Sequence, residues 1–352
     1  MKLRVLVVED SLTVRQRLVE VLRSDPELEV VGEASDGRSA IELCQRLRPD
    51  VVTLDMMLPV MTGLAATEYI MAHFPTPILV VSASFNRGEL FKTYDALAAG
   101  AVDVIEKPTG LEPPGTWERA FLSTLKIVAR VRVITHPRAR LTGLSRFPAA
   151  AATELVPASG RHAGLVAIGA STGGPTAIVE VLRHLTPAFP LPILIVLHLG
   201  APFAAPFADW LGAQTGLAVA YATEGEPLAR VTGVRLAPPE RHLVLRDGAL
   251  RLTHTPERHS CRPAVDELFE SAARECGAKV VGCLLTGMGR DGAQGLLGLR
   301  RTGALTIAQD EASSVVYGMP REAALLGAAE RVLPLSEIGP LLAALPGAGA
   351  RA

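Results

Sequence analysis

Cysteine is scarce in this chain. There are four in 352 residues (Cys44, Cys261, Cys276, Cys283), and none forms a C-x-x-C pair. That excludes a zinc-ribbon or redox-motif reading and fits reduced thiols in a cytoplasmic protein. Net charge is scarce too: 35 Lys and Arg against 36 Asp and Glu leave a formal −1. A chain built mainly to grip nucleic acid or an anionic membrane would carry a basic excess. Long hydrophobic runs are also missing. The most apolar stretch, Leu191 to Ala208, is interrupted by three prolines, His198 and Gly200, so no membrane insertion is expected. Met1-Lys2-Leu3-Arg4 leads into a strand pattern with no signal-peptide cleavage pattern.

Apolar residues, by contrast, make up 49% of the chain, enough for globular cores, and the length suits two domains. Charge is unevenly placed. Residues 1–108 carry 11 basic and 16 acidic side chains, residues 109–161 carry 8 and 3, and residues 162–352 carry 16 and 17. An acidic domain, a basic connector and a near-neutral domain are the simplest reading.

The first 108 residues alternate short β-branched runs with helical patterns. Arg4–Val8, Glu29–Ala34, Val51–Leu54, Ile78–Ser82 and Val102–Ile105 read as strands. Helices are predicted near 13–23, 38–47, 65–73 and 89–99, with a further one over 117–133. Five βα units imply a doubly wound parallel sheet. Pro137, Pro148, Pro157 and the Ala149–Ala152 run suggest a linker. From residue 162 a second α/β series begins. Strands are predicted at Leu165–Gly169, Ile193–Leu197, Val231–Ala237, His242–Leu245, Val280–Leu285 and Leu305–Ala308. Helices are predicted at Pro175–Leu185, Ala264–Cys276, Gly292–Thr302 and Arg321–Ala328. The expected division is 1–125, a linker at 126–161, and 162–345.

In such a sheet, ligands sit at the carboxyl ends of strands. In the first domain those ends carry Glu9 and Asp10, then Asp55, Ser82 and Lys107. Three carboxylates tolerate one another around a hard cation such as Mg²⁺, and a carboxylate beside Mg²⁺ and a lysine is poised to take a phosphoryl group. Any one of these residues alone would be an ordinary loop polar group. The set Val7-Val8-Glu9-Asp10-Ser11, Asp55-Met56-Met57-Leu58-Pro59 with Gly63, Val81-Ser82-Ala83 and Lys107-Pro108 resembles a two-component receiver domain. The resemblance implies a flavodoxin-like (βα)5 fold. It implies Asp55 as phospho-acceptor, Glu9, Asp10 and Asp55 as Mg²⁺ ligands, and Ser82 and Lys107 as the switch residues. Val104 stands where a switching aromatic is common, and Thr62 where Asp is common.

In the second domain, Gly169-Ala170-Ser171-Thr172-Gly173 satisfies G-x-S-x-G between a buried strand and a helix. Such a turn presents a nucleophilic Ser, binds phosphate, or merely caps the helix. No Lys stands at a P-loop position. A nucleophile needs a base and the base an orienting acid. Of eight histidines, His198 directly follows a strand. His242 begins one and should lie at the opposite edge of the sheet. Asp291, in the Gly-rich loop Thr286–Gly292, is the candidate acid, with helix capping as its plainer role.

Six ordered blocks carry a second resemblance. They are Gly169–Pro175, Val196-Leu-His198, Ala237–Leu243, Arg262-Pro-Ala-Val-Asp266, Leu285–Ala293 and Ala308–Pro320. This region is similar to the chemotaxis protein-glutamate methylesterase domain of CheB type, a Rossmann-like α/β/α fold. The likeness implies Ser171 as nucleophile, His198 as base and Asp291 as orienting acid, with Met288 and Thr172 near the oxyanion, and no cofactor. Leu197 replaces the Gln common before this histidine. The whole would be a phosphorylation-activated esterase acting on chemoreceptors, also deamidating receptor glutamines, with a chemotaxis histidine kinase as phosphodonor. The alternatives are a non-catalytic phospho-dependent adaptor, a regulator serving another chemosensory pathway, and a DNA-binding response regulator, which the charge of residues 162–352 opposes.

Overall fold

The computed structural model describes residues 2–83, 87–108, 110, 112–131, 133, 163–204 and 206–345. The chain divides into two compact units, residues 1–148 and 149–352. The basic segment from 134 to 161 lies outside the described residues.

In the first unit, β1 (Leu3–Val8), β2 (Leu28–Ala34), β3 (Val51–Leu54), β4 (Ile78–Ser82) and β5 (Asp103–Glu106) form one parallel sheet. Their order is β2-β1-β3-β4-β5. Helices α1 (Leu12–Arg23), α2 (Gly37–Leu47), α3 (Gly63–His73), α4 (Arg87–Ala98) and α5 (Thr116–Val128) alternate with the strands. The central strands are apolar on both faces because helices cover both faces. Val5, Leu6, Val7, Val51, Val52 and Leu54 are fully buried. Each such side chain contributes about 1.5–3 kcal/mol of burial. Local signals set the helix starts. Ser11, Asp36 and Thr62 accept N–H groups from Val14, Arg38 and Ser39, and Ala65 respectively. Thr62 thus caps α3. The packed unit extends past residue 125, since Val128 at the end of α5 is buried.

In the second unit, β6 (Leu165–Ala170), β7 (Ile193–Leu197), β8 (Val219–Tyr221), β9 (Val234–Leu236), β12 (Val280–Leu284), β13 (Leu305–Gln309) and β14 (Arg331–Leu333) form a parallel sheet. Its order is β14-β13-β12-β6-β7-β9-β8. The strand sequence runs outward in opposite directions from β6, which makes the β12-β6-β7 strip the switch point where ligands bind. The helices are α6 (Gly174–Leu182), α7 (Ala201–Ala204), α8 (Phe207–Thr215), α9 (Val265–Cys276), α10 (Ala293–Arg301), α11 (Met319–Leu325) and α12 (Leu335–Ala343).

One predicted strand sits elsewhere. β10 (His242–Arg246) pairs antiparallel with β11 (Ala249–Thr253) in a separate hairpin, so His242 is not at the far edge of the main sheet. Leu243, Leu245 and Leu250 of the hairpin share a core with Leu268, Phe269 and Ala272 of α9. Ser271 Oγ accepts the Leu245 N–H at 3.0 Å. Among the described residues no helix is long and apolar enough to cross a membrane.

Candidate functional site

Ser171, His198 and Asp291 follow the carboxyl ends of β6, β7 and β12, which are neighbours in the sheet. Ser171 is fixed by its backbone. Its N–H donates to the Thr286 carbonyl at 3.0 Å, and its own carbonyl accepts from Gly174 at 2.6 Å. Gly173 then turns the chain into α6 at φ +75, where a Cβ would meet Val315 at 2.5 Å. The buried Thr286 locks the turn to the opposite loop. Its hydroxyl donates to the Thr172 carbonyl at 3.0 Å and accepts the Val316 N–H at 2.9 Å.

His198 Nε2 lies 2.9 Å from Asp291 Oδ2. Asp291 is buried and accepts two further N–H groups, from Val265 at 2.6 Å and Asp266 at 3.0 Å. The carboxylate therefore caps α9, not its own helix α10, whose N-cap is Gly292. Burial pushes the Asp291 carboxyl up, but the hydrogen bond and charge of His198 and the two N–H groups bring it net below its ordinary range. Burial pulls the His198 imidazole down, and hydrogen bonds and charge from Asp291 and Cys261 more than offset this, to about 9. The ring's Nδ1 faces Cys261 Sγ at 3.6 Å. Among the described residues Ser171 makes no hydrogen bond to His198.

Met288 is exposed, and the backbone N–H groups of Met288 and Thr172 have no hydrogen-bond acceptor among the described residues.

In the first unit, Glu9, Asp10 and Asp55 offer oxygens that lie within 4.8 Å of one another. Lys107 Nζ sits 2.8 Å from Glu9 and 2.9 Å from Asp55. Glu9 and Asp55 are buried and Asp10 is exposed. Burial pushes the Glu9 carboxyl up, the Lys107 hydrogen bond pulls it down, and Asp55 pushes it up again, to about 7. Burial is the larger cause, and the neighbouring Asp55 charge adds to it, with Lys107 as the balancing cation. Three carboxylates with oxygens this close make an all-oxygen donor set that fits a hard divalent cation. Ser82 is buried on the next strand end, where it accepts a hydrogen bond from Thr93 of α4 at 3.3 Å.

Comparison with known proteins matches residues 5–113 to the response regulator receiver domain and residues 166–342 to CheB methylesterase. The chain belongs to the CheB methylesterase family. It is 45% identical over 336 residues to protein-glutamate methylesterase/protein-glutamine glutaminase 2 of Anaeromyxobacter dehalogenans, covering 96% of this chain and 95% of that one. It is 42% identical over 352 residues to protein-glutamate methylesterase/protein-glutamine glutaminase 4 of Myxococcus xanthus, covering 99% and 98%. The crystal structure of the Thermotoga maritima CheB methylesterase catalytic domain shares 34% identity, covers 52% of this chain and 99% of its own, and has a TM-score of 0.49.

Three contacts in the two units have no signal in the sequence. Cys261 meets His198 from a loop 63 positions away. Thr93 meets Ser82 from the middle of a helix. Asp266 lies buried behind Asp291. It accepts the Gly295 N–H at 2.7 Å and faces His259 Nε2 at 3.0 Å. Asp266 closes the motif Arg262-Pro-Ala-Val-Asp266, but no pattern in the sequence indicates these contacts.

Proposed function

We propose that this chain hydrolyses γ-methyl esters of glutamate on chemoreceptors and deamidates receptor glutamines, under control of Asp55 phosphorylation. The observation that carries the reading is the His198–Asp291 contact at 2.9 Å, on strand ends flanking that of Ser171. Ser171 attacks the ester carbonyl while His198 takes its proton. Asp291 holds the ring and balances its charge. The oxyanion is received by the free N–H groups of Met288 and Thr172. His198 returns the proton to the departing methoxide, and water then releases the acyl group from Ser171. With a glutamine substrate the leaving group is ammonia.

In the receiver, a chemotaxis histidine kinase supplies the phosphoryl group to Asp55. Glu9, Asp10 and Asp55 would hold a Mg²⁺ ion, which supplies charge neutralisation at the phosphoryl oxygens. Lys107 leaves Glu9 to pair with the new phosphoryl group, and Ser82 turns its hydroxyl from the Ala83 carbonyl, 3.3 Å away, to donate to it. The cytoplasm, where kinase and receptor signalling domains meet, is the site of action.

The test is methanol release from membranes bearing methylated receptors, with and without a small phosphodonor. Wild type releases methanol faster with the donor, and Ser171→Ala releases none although folded. Methanol release by Ser171→Ala would overturn the nucleophile assignment, and indifference of the wild type to the donor would overturn the switch.

A further inference from the structure

Both nitrogens of the His198 ring are occupied, and neither by Ser171. Asp291 holds Nε2 at 2.9 Å, and the Cys261 thiol lies 3.6 Å from Nδ1. The sulfur also contacts the His259 carbonyl at 3.4 Å. A serine hydrolase needs one ring nitrogen turned to its nucleophile. With Asp291 on one side, the nitrogen left for Ser171 is the one that Cys261 faces.

The thiol is held there by a built loop. Arg258 and Cys261 exchange backbone hydrogen bonds at 3.1 and 2.9 Å. Between them His259 and Ser260 adopt φ of +54 and +59. Each such non-glycine conformation costs roughly 1–2 kcal/mol and persists only where surrounding contacts impose it. Those contacts are present. Arg258 pairs with Glu270 at 2.6 Å and Glu267 at 3.4 Å, and His259 bonds the buried Asp266 at 3.0 Å.

We propose that Cys261 is a positioning residue that holds the His198 ring in a resting arrangement, and that Ser171 must displace this thiol from Nδ1 before each acylation. The inference rests on the reading of Ser171, His198 and Asp291 as the hydrolytic set. Its consequence concerns the proton. The groups facing the ring are Asp291 from the β12–α10 loop and Cys261 from the loop before α9. Asp266 stands behind Asp291, with its own charge turned to Arg258 and His259. Asp291 and Cys261 both favour the charged ring, in which His198 is no base. Removing the sulfur takes away one of these two supports and the competitor for Nδ1.

The experiment uses full-length Cys261→Ala and Cys261→Ser, with kcat/KM for methanol release measured against pH in the presence of a small phosphodonor. In parallel, the histidine NMR titration of each protein is recorded, with the His198 signal assigned from His198→Ala. For Cys261→Ala, the acid limb of kcat/KM and the His198 titration both move to lower pH by about 0.5–1 unit. That is about a three- to tenfold gain at neutral pH, one unit being a factor of ten. Cys261→Ser, with a shorter and harder group, falls between, and it substitutes for the alanine variant if that one does not fold. A His198 titration and pH profile unmoved, or moved upward, in the variants overturns the inference. A wild type that releases no methanol overturns the functional reading instead, while the NMR titration still decides whether Cys261 controls the ring.

Discussion

Oδ2 of Asp291 serves two masters at once: His198 Nε2 at 2.9 Å and the Val265 N–H at 2.6 Å. One carboxylate thus orients the proposed base and fixes the start of α9, the helix that walls the site. Asp291→Asn keeps the shape but offers one acceptor oxygen where three donors converge. Esterase kcat should fall roughly 10³–10⁴-fold, the scale seen when the orienting acid of a serine triad loses its charge. The helix start should lose about 1 kcal/mol of capping. Steady-state kinetics and a thermal melt measure the two effects, and a variant with near-normal kcat would sink the role.

The same pair gives stability a pH dependence. His198 is raised from 6.5 to about 9, so its contribution is complete below about 6.5 and is lost as pH rises through about 9. Asp291 is lowered, so its share is present at neutral pH and lost only as pH falls below the ordinary carboxylate range. Melting temperature of the second unit's transition should therefore decline between pH 6.5 and 9 in the wild type. In Asp291→Asn that decline should flatten. An equal decline in both proteins would place its origin elsewhere.

His242 is the rival candidate for the base, and its surroundings argue for structure. It is fully buried, its Nδ1 accepts the Ala264 N–H at 3.1 Å, and its Nε2 faces the Pro256 carbonyl at 3.2 Å. His242→Ala should cost about 1–3 kcal/mol, from buried backbone groups left unpaired. Methanol release per folded molecule should stay within a few-fold of wild type, whereas His198→Ala should abolish it. Loss of turnover in fully folded His242→Ala would reverse the two roles.

In the receiver, Lys107 is one cation among three carboxylates. Added Mg²⁺ should raise the melting temperature of the first unit, because a ligand that binds only the folded state stabilises it by mass action. Asp10→Asn, which removes the exposed carboxylate, should shrink that rise. Calcium-free buffers with and without Mg²⁺ in a calorimeter give the comparison. An equal Mg²⁺ response in wild type and Asp10→Asn would remove Asp10 from the ligand set.

Much of this was legible because the signals are local. A βα alternation declares itself within each 20-residue stretch, and in a parallel sheet the residue after a strand must lie at the carboxyl edge. That rule placed Glu9, Asp55, Ser171, His198 and Asp291 without knowledge of the strand order. What stayed hidden depends on the tertiary fold or on elements too short to show a period. β8, β11 and β14 lie outside the strands that the sequence predicts; β8 and β14 have three residues each. α12 carries Pro340 inside it, which reads as a break. His242 resembles the start of a main-sheet strand because His242–Leu245 is buried throughout, the pattern usual for a strand covered on both faces, although it belongs to an antiparallel hairpin. Cys261 could be assigned no contact because nothing in its neighbourhood in sequence points to His198.

The turn that carries Ser171 depends on a second loop passing very close to it. Gly287 sits where a Cβ would lie 2.8 Å from the Ser171 Cβ, 3.1 Å from its nitrogen and 2.4 Å from Met319 Sδ. The Met319 sulfur can swing aside, but the Ser171 backbone cannot, since its N–H is tied to Thr286. Gly287→Ala should therefore separate the β6 and β12 loops, displacing Ser171, the proposed nucleophile, from both His198 and the Met288 N–H. Overpacking of this kind costs about 1–3 kcal/mol. A displacement near 1 Å in a hydrolytic site costs about a hundredfold in rate. The variant should melt a few degrees lower and lose kcat far more than it raises KM, because the loss is in alignment. Equal kcat in Gly287→Ala and wild type, with the fold intact, would mean that the spacing of these two loops does not set the reacting geometry.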